Sequence, residues 1–474
     1  MMGIKGAAAL AVFAVHVVVI LRAMLVADRE PYARTAWLFV LIALPGLGVA
    51  LYFLFGERWI SSNFHSRARQ SYEDLLPYAP QLAEGIETMG NPFRTFEAAS
   101  RWPVSTGNTA IVASGSDAAI AMIVADIDAA AQSVHLSVYI WLSDHNGTLM
   151  VDAICRAARR GIPCRVVADA MGSRPMIRSP HWRAMSNAGA VLCASLAAPF
   201  GMGFLAGHRI DLRNHRKIVV IDGSVTYCGS QNLADAAFLI KSKFAPWVDI
   251  MIRYEGPVAR QADLIFASAW NTEMNEKLFP MLPTGYKPAS GKGFNAIAAG
   301  TGPLSPRGTM SEMFVSLLEA ARESATITTP YFAPDPPLIA AIVAAARRGV
   351  QVSIVFPRRN DNRIVGAIGR AYYPVLAAAG VRIFEFCGGL LHAKTIVVDG
   401  EWGLVGSSNM DRRSLDLNFE NNILFESADL SRQVVEHQHR WLTNAIKIDH
   451  EDIKARSITR RLLDNSLTMV AAVF

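Results

Sequence analysis

Two short stretches carry residue types that could do chemistry together. His215-Arg216-Lys217 followed by Asp222, and His392-Ala393-Lys394 followed by Asp399, both read His-x-Lys-x4-Asp. After six more residues come Gly229-Ser230-Gln231-Asn232 in the first and Gly406-Ser407-Ser408-Asn409 in the second. On a strand, residues two apart face the same side, so each His and Lys pair projects from one face. Asp222-Gly223 and Asp399-Gly400 read as two-residue hairpin turns. That register would set Ser230 opposite His215 and Ser407 opposite His392, with Asn232 and Asn409 just beyond.

Two imidazoles, two ammonium groups and several neutral donors suit a phosphodiester anion. One neutral histidine can attack phosphorus while the other, protonated, gives its proton to the leaving alkoxide. Lys217, Lys394, Asn232 and Asn409 would hold the charge that builds on the equatorial oxygens, with Ser230 and Ser407 in support. The cationic side chains replace a metal, so neither a metal nor a cofactor is expected. Asp222 and Asp399 complete the pattern, but their place in the turns argues for a turn or salt-bridge role rather than a reacting one.

The elements that must position these residues are repeated as well. An alternating apolar run, Ser133 to Trp141, leads to a helical pattern ending Ala157-Ala158-Arg159-Arg160-Gly161 and then a strand, Cys164 to Ala168. Ala325 to Phe332, Ala345-Ala346-Arg347-Arg348-Gly349 and Val352 to Phe356 repeat it. A β-branched run after a glycine helix stop is a β-α-β unit. The fold class is therefore α/β, with two pseudo-symmetric halves at 106–265 and 301–474, the latter including a C-terminal tail, and a Gly/Pro/Lys-rich linker at 266–300.

Ahead of them lie an apolar segment at 1–60 and a polar connector at 61–105. Thr35 to Phe55 is an uncharged run of 21 residues, and Gly6 to Leu21 another of 16. The first of these matches the ~30 Å hydrocarbon core at about 1.5 Å per residue and is expected to be a transmembrane helix. With the 6–21 run extended to Ala27 by a snorkelling Arg22, the two form a hairpin that leaves the N-terminus and the body on one side. The arginines on either side lean toward a cytoplasmic body.

Composition sets outer limits. The chain has 474 residues, 51% of them apolar and 18% charged, with a net charge of +6, which rules out a disordered or fibrous chain. Five scattered cysteines give neither a disulfide framework nor a zinc ribbon. Two other features are discounted: His437-Gln438-His439 as a solvated helix face rather than a metal pair, and Gly201 to Ala206 as a loop that imitates a dinucleotide motif. The basic residues near the motifs fit solvated surface and an attraction to anionic lipid equally well. The tail from Ile458 is expected either on the membrane or against the body.

The duplicated signature resembles the phospholipase D superfamily, and the surrounding residues resemble bacterial cardiolipin synthases. Tyr139-Ile140-Trp141, Asp169 to Ser173, Arg213 to Lys217, Pro330-Tyr331-Phe332, Gly389 to Lys394 and Leu417 to Glu420 carry that likeness. It implies phospholipase D-like halves with mixed sheets, the joining of two phosphatidylglycerols with release of glycerol through a phosphohistidine, and an inner-membrane, multi-pass protein acting on anionic phospholipid rather than nucleic acid. It also implies that an acidic residue some thirty positions downstream orients each histidine, the matches being Asp249 and Glu420. His215 would be the nucleophile and His392 the acid, although the near symmetry leaves this open. Ser137 stands where a glutamate is expected, and serines expected around Arg370 are replaced. Alternatives are a hydrolase of the same superfamily, a transferase with another donor or acceptor, and a non-catalytic membrane scaffold; oligomeric state is open.

Overall fold

The computed structural model describes residues 4–27, 29–79, 91–197, 208–279 and 293–471. The discounted glycine loop at 201–206 lies outside them.

The first half supplies β1 (Ser105–Val112), β2 (Val134–Val138), β3 (Cys164–Asp169), β4 (Val191–Ser195), β5 (Arg213–Asn214), β6 (Ile218–Ile221), β7 (Val225–Gly229), β8 (Trp247–Val248) and β9 (Met251–Glu255). The second supplies β10 (Phe294–Thr301), β11 (Ser324–Thr328), β12 (Phe332–Ala333), β13 (Gln351–Pro357), β14 (Arg382–Phe386), β15 (Leu390–Leu391), β16 (Thr395–Val398), β17 (Trp402–Gly406), β18 (Met410–Asp411), β19 (Asn418–Glu426) and β20 (Ala445–Ile448). The first sheet runs β1-β9-β7-β6-β2-β3-β4 and the second β10-β19-β17-β16-β11-β13-β14, with β20 added at its edge. The order is the same strand for strand, which is the expected internal repeat in three dimensions. Within these two strand orders, β2-β3-β4 and β11-β13-β14 are the parallel stretches, with the crossover helices His145–Arg159 and Pro336–Arg347 after β2 and β11. Both helices stop at the expected glycines: Gly161 and Gly349 take φ of 83° and 97°, a region costly for other residues.

The two sheets join through β1, whose first residues pair with β10 and whose later ones pair with β9. The second half therefore begins at β10, ahead of the expected 301. The helix Pro257–Met274 runs straight across the expected boundary at 265. Its buried residues face in almost all directions because it is sandwiched between the sheet and α4 (Ser62–Leu75), with Phe266 and Trp270 fully enclosed. The described parts of the polar connector, 61–79 and 91–105, are thus packed structure. In α4 and α5 (Pro92–Ser100), Phe64, Leu75, Phe93 and Phe96 are buried, and the Trp102 indole donates to Ala298 O at 2.9 Å.

The N-terminal region departs from a pair of spanning helices. α1 (Ile4–Leu25) is long, but the run from Thr35 to Phe55 is divided into α2 (Pro31–Ala43), α3 (Leu47–Leu51) and a π-helical turn, Tyr52–Gly56. No helix among the described residues is both long and apolar enough to cross a membrane. At the other end, the helix Ile458–Ala471 lies against the helix Arg363–Ala371, with Asp464 3.7 Å from Arg370. His437 is a second correction. It is turned inward against Trp441 rather than onto a solvated face, and Gln438 donates to Thr326 O and Thr395 Oγ1.

Candidate active site

Two short parallel pairings tie one half to the other, and both lie beside a histidine. β5 pairs with the start of β19, so that Asn214 stands opposite Phe419; β8 pairs with β15, so that Val248 stands opposite Leu391. The ladders continue one residue further: His215 N donates to Phe419 O at 2.9 Å and His392 N to Val248 O at 2.8 Å. The residue after Phe419 is Glu420, and the residue after Val248 is Asp249. Each histidine is therefore delivered to the acid of the opposite half.

The side chains complete that arrangement. His215 Nδ1 lies 2.8 and 3.0 Å from the two Glu420 oxygens, and His392 Nδ1 lies 2.6 Å from Asp249 Oδ1. This corrects the expectation that each histidine is oriented by the acid downstream in its own half. The residues are the right ones, but the pairing is crossed. Because an ionised carboxylate only accepts, Nδ1 carries the proton and the Nε2 lone pair is left free.

Ser230 and Ser407 are brought close to the histidines by a different route from the one expected. Opposite β6, Ile218 pairs with Cys228 and Ile221 with Val225; opposite β16, Thr395 pairs with Val405 and Val398 with Trp402. Each turn therefore holds one residue more than a two-residue hairpin, and the register is shifted by one. The hydroxyl of Ser230 donates to Asp249 Oδ1 at 2.6 Å, and that of Ser407 donates to Glu420. The serines fix the carboxylates rather than pointing at a substrate. Glu420 also accepts from Ser414 Oγ at 2.8 Å and Asn418 Nδ2 at 3.3 Å, two contacts that no motif signalled.

Asp222 and Asp399 sit at the opposite ends of β6 and β16 from the lysines. Asp222 accepts from the backbone N–H groups of Ala131, Gln132 and Ser133, and Asp399 from those of Arg322, Glu323 and Ser324. Their role is to tie a turn to the start of β2 or β11, as their turn position suggested. They do not join the histidines.

Lys217 Nζ donates to His215 O at 2.8 Å and Lys394 Nζ to His392 O at 2.6 Å. Lys217 also stands 5.5 Å from the centroid of the Tyr139 ring, whose own centroid is 4.9 Å from that of His215. Tyr331 occupies the matching position in the second half, 6.4 Å from His392, and Trp247 lies 4.7 Å from the same imidazole. The Tyr331 hydroxyl donates to Asp361 at 2.6 Å, and Asp361 is paired with Lys241 from the first half. Asn232 Oδ1 accepts from Ile140 N at 3.3 Å, and Asn409 Nδ2 donates to Ser414 Oγ at 3.3 Å. The buried Asn409 Oδ1 has no protein partner among the described residues. The aromatic walls were visible in the sequence only as parts of longer matching stretches, with no spacing to assign them a role.

Burial dominates the electrostatics. It lowers both imidazoles to about 4, with Lys217 adding to the effect on His215 and Lys394 to that on His392. Burial likewise lowers Lys217 to about 8 and Lys394 to about 7. It would raise Asp249 and Glu420, but their histidine partners, the lysines and the serine hydroxyls hold both carboxyls below the usual range. Buried Asp411, whose counterpart in the first half is Ala234, is pushed up to about 6 and lies within the field of Lys394. Near pH 7 the site thus holds neutral histidines, the carboxylates of Asp249 and Glu420, a mostly ionised Asp411 and two lysines at or near their titration points. An arriving phosphate anion would stabilise the lysine charges and favour a proton on one imidazole. Nucleophile, acid and anion-binding charges are then all present without a further group.

Two interlocked α/β halves, each giving a His-Lys pair to a shared site, define a phospholipase D-like protein. The family described as "Cardiolipin synthase, PLD-like domain" matches residues 123–270 and 314–441, and "Phospholipase_D-nuclease N-terminal" matches residues 9–57. Cardiolipin synthase A of Citrobacter koseri is 33% identical over 93% of this chain and 93% of its own, and that of Cronobacter sakazakii is 34% identical over 90% of each. Among solved structures, phosphatidylserine synthase of Haemophilus influenzae covers 81% of this chain and 98% of its own, with a TM-score of 0.58 at 13% identity, a likeness of fold. The chain belongs to the bacterial cardiolipin synthase family of the phospholipase D superfamily.

Proposed function

We propose that the protein is a cardiolipin synthase, a phosphatidyltransferase that moves a phosphatidyl group from one phosphatidylglycerol to another. The observation that carries this reading is the crossed carboxylate pairing, which leaves two imidazoles with free Nε2 atoms beside two buried lysines.

In the first step Nε2 of His215 attacks the phosphorus of phosphatidylglycerol. A P–N bond forms as the P–O bond to the headgroup glycerol breaks, and protonated His392 gives its proton to the departing alkoxide. In the second step His392 takes the proton of a hydroxyl on a second phosphatidylglycerol; that oxygen attacks phosphorus and frees His215. One phosphodiester is exchanged for another, so no external energy source is needed. His215 is assigned as nucleophile because Glu420, fixed by Ser407, Ser414 and Asn418, aims its ring the more rigidly.

The N-terminal region supports a place at a lipid bilayer. Val12, Phe13 and Val18 on α1, and Phe39 and Ile42 on α2, are exposed, whereas α1 and α2 pack together through Val19, Ala23, Trp37 and Leu41. This reading puts the protein in the bacterial inner membrane with its catalytic body at the cytoplasmic face.

Purified, detergent-solubilised protein incubated with labelled phosphatidylglycerol and excess chelator tests the activity. Cardiolipin and free glycerol are expected. Phosphatidic acid as the main product would make the protein a hydrolase, and no turnover would overturn phosphatidylglycerol as donor.

A further inference from the structure

We infer that the C-terminal helix Ile458–Ala471 lies flat in the headgroup layer of an anionic bilayer, its outward face in lipid, and that the strap Leu239–Phe244 docks on the same surface. This rests on the lipid-bilayer reading above and requires no crossing. A helix of 14 residues, about 21 Å long, lies along the interface with one apolar face down.

The helix is amphipathic in the wrong sense for a soluble one. Helical spacing puts Ile458, Leu462 and Met469 on one stripe, and they are 74%, 62% and 73% exposed. The side turned to the body carries an acid instead. Asp464 is buried, 3.7 Å from Arg370 of the helix Arg363–Ala371. A helix that merely packs on a body in water puts its apolar face inward and its charges out. Here the body takes the charged side, which leaves the apolar side for another apolar phase.

Neighbouring elements continue this surface. Phe238 and Phe244 bound the strap and are buried, whereas Leu239 and Ile240 between them are 69% and 58% exposed. Asp361 accepts from Lys241, and Arg359 donates to Lys243 O at 2.9 Å. The strap is thereby tied to the loop that leads into the helix Arg363–Ala371, where Ile364 is also exposed. Phe238 stacks on Trp247 with centroids 3.8 Å apart, and Trp247 is a wall of the His392 site. The surface therefore borders the place where a lipid headgroup must arrive.

Charge selects the partner. In 239–244, 358–371 and 458–471 the acidic residues are Asp361 and Asp464, and their side chains are 1% and 4% exposed, each in an ion pair. Lys243, Arg359, Arg363, Arg460 and Arg461 are exposed. Apolar side chains rimmed by positive charge complement an anionic headgroup layer. A second copy of the same face would set these like charges against one another.

Position agrees with the N-terminal region. The helix Arg363–Ala371 packs on β12, so closely that a Cβ on Gly369 would come within 3.3 Å of Phe332 O. β12 pairs with β18, and the next residue, Arg412, meets Glu30 at 2.9 Å at the head of α2. A continuous run of contacts thus links the tail helix to the base of the N-terminal apolar segment.

Lipid-borne quenchers test the inference in the full chain, with exposed Cys387 changed to Ser and the four buried cysteines kept. A fluorescent probe is attached to Leu462→Cys or, as a control, to Gln132→Cys on the turn tied to Asp222. Both positions are exposed, so neither change removes a packed contact. In vesicles of phosphatidylglycerol and phosphatidylcholine containing nitroxide-labelled acyl chains, the probe at 462 should be quenched and its emission shifted to the blue, and that at 132 should not. Pure phosphatidylcholine, or Arg460→Gln with Arg461→Gln in the mixed vesicles, should lose much of this quenching. Protein that floats with the vesicles but shows no more quenching at 462 than at 132 would overturn the inference. Equal quenching in pure phosphatidylcholine would overturn the role of charge. A disulfide between copies at Met469→Cys without lipid quenching would give the face to a second copy. Protein that does not float with the vesicles would overturn the bilayer reading as well. Quenching is read whether or not phosphatidyl transfer occurs, so failure of the synthase reading remains distinguishable.

Discussion

His392 Nδ1 lies 2.6 Å from Asp249, a residue 143 positions earlier and in the other half of the chain. His215 and Glu420 make the reciprocal contact across 205 positions. Neither motif histidine takes its carboxylate partner from its own half. The two short parallel pairings of β8 with β15 and β5 with β19 are what bring the pairs together.

Double-mutant cycles should report that crossing. Asp249→Asn and Glu420→Gln should each lower kcat by about 10²–10⁴-fold, as losing the group that fixes a catalytic tautomer does. Asp249→Asn should add little to His392→Ala, and Glu420→Gln little to His215→Ala. The combination of Asp249→Asn with His215→Ala tests the alternative. Strong non-additivity there, and none between Asp249 and His392, would return each acid to its own half.

Replacing either histidine by alanine should abolish transfer, by at least about 10³-fold, with an unchanged circular-dichroism melting curve. Glu420 keeps Ser407, Ser414 and Asn418 as donors when His215 is lost, and Asp249 keeps Ser230 when His392 is lost. With phosphorus-labelled donor, His392→Ala should still form some acid-labile phosphoenzyme and His215→Ala none. Labelled phosphoenzyme in His215→Ala would exchange the two roles.

The serines separate two views of the motif. Had Ser230 and Ser407 held phosphate, their removal would raise KM. Because each donates to a carboxylate, Ser230→Ala and Ser407→Ala should lower kcat about tenfold, the worth of one hydrogen bond to a charged group, with KM little changed. Steady-state kinetics in mixed micelles decides between them.

The extent of the sequence's legibility follows from the range of the interactions. The repeat, the β-α-β units and their glycine stops are local, and all stand in the pattern of residues 133–168 and 325–356. The identities of His215, Lys217, His392 and Lys394 were equally plain. The crossing was not, because strand pairing between distant segments leaves no periodicity in either one. The hairpin register failed by a single residue, since Ser224 and Glu401 follow Asp-Gly turns that look complete without them. In the N-terminal segment the uncharged run meets the length rule for a span, but Pro45-Gly46 divides it, and a length rule carries no term for a local turn.

Asp222 and Asp399 are expected to matter for folding and not for turnover. Each satisfies three backbone N–H groups at the start of an inner strand. Asp222→Ala or Asp399→Ala should cost about 1–3 kcal/mol, the penalty for donors left without an acceptor. Thermal unfolding should shift downward, while kcat per folded enzyme, measured well below the transition, stays near that of the parent. A kcat loss like that of the histidine variants would return these aspartates to the catalytic set.

The protonation of the site before substrate binds sets its pH response. Burial brings the histidines to about 4, Lys394 to about 7 and Lys217 to about 8, while Asp249 and Glu420 stay ionised. A phosphodiester brings one negative charge into this buried set and favours the protonated form of every group it faces. Substrate binding at pH 7 should therefore take up protons, and more of them at pH 8, where the free lysines have begun to lose theirs. The sign follows from the lysines: a group with a lowered pKa loses its charge as pH rises through that value, and the anion then binds an uncharged site. kcat/KM should accordingly fall on the alkaline side between about pH 7 and 8, with its acid limb near 4. Calorimetry of a non-hydrolysable phosphatidylglycerol analogue, in buffers of different ionisation enthalpy, counts the protons directly. Proton release, or binding that strengthens from pH 7 to 9, would contradict the charge states derived from the geometry.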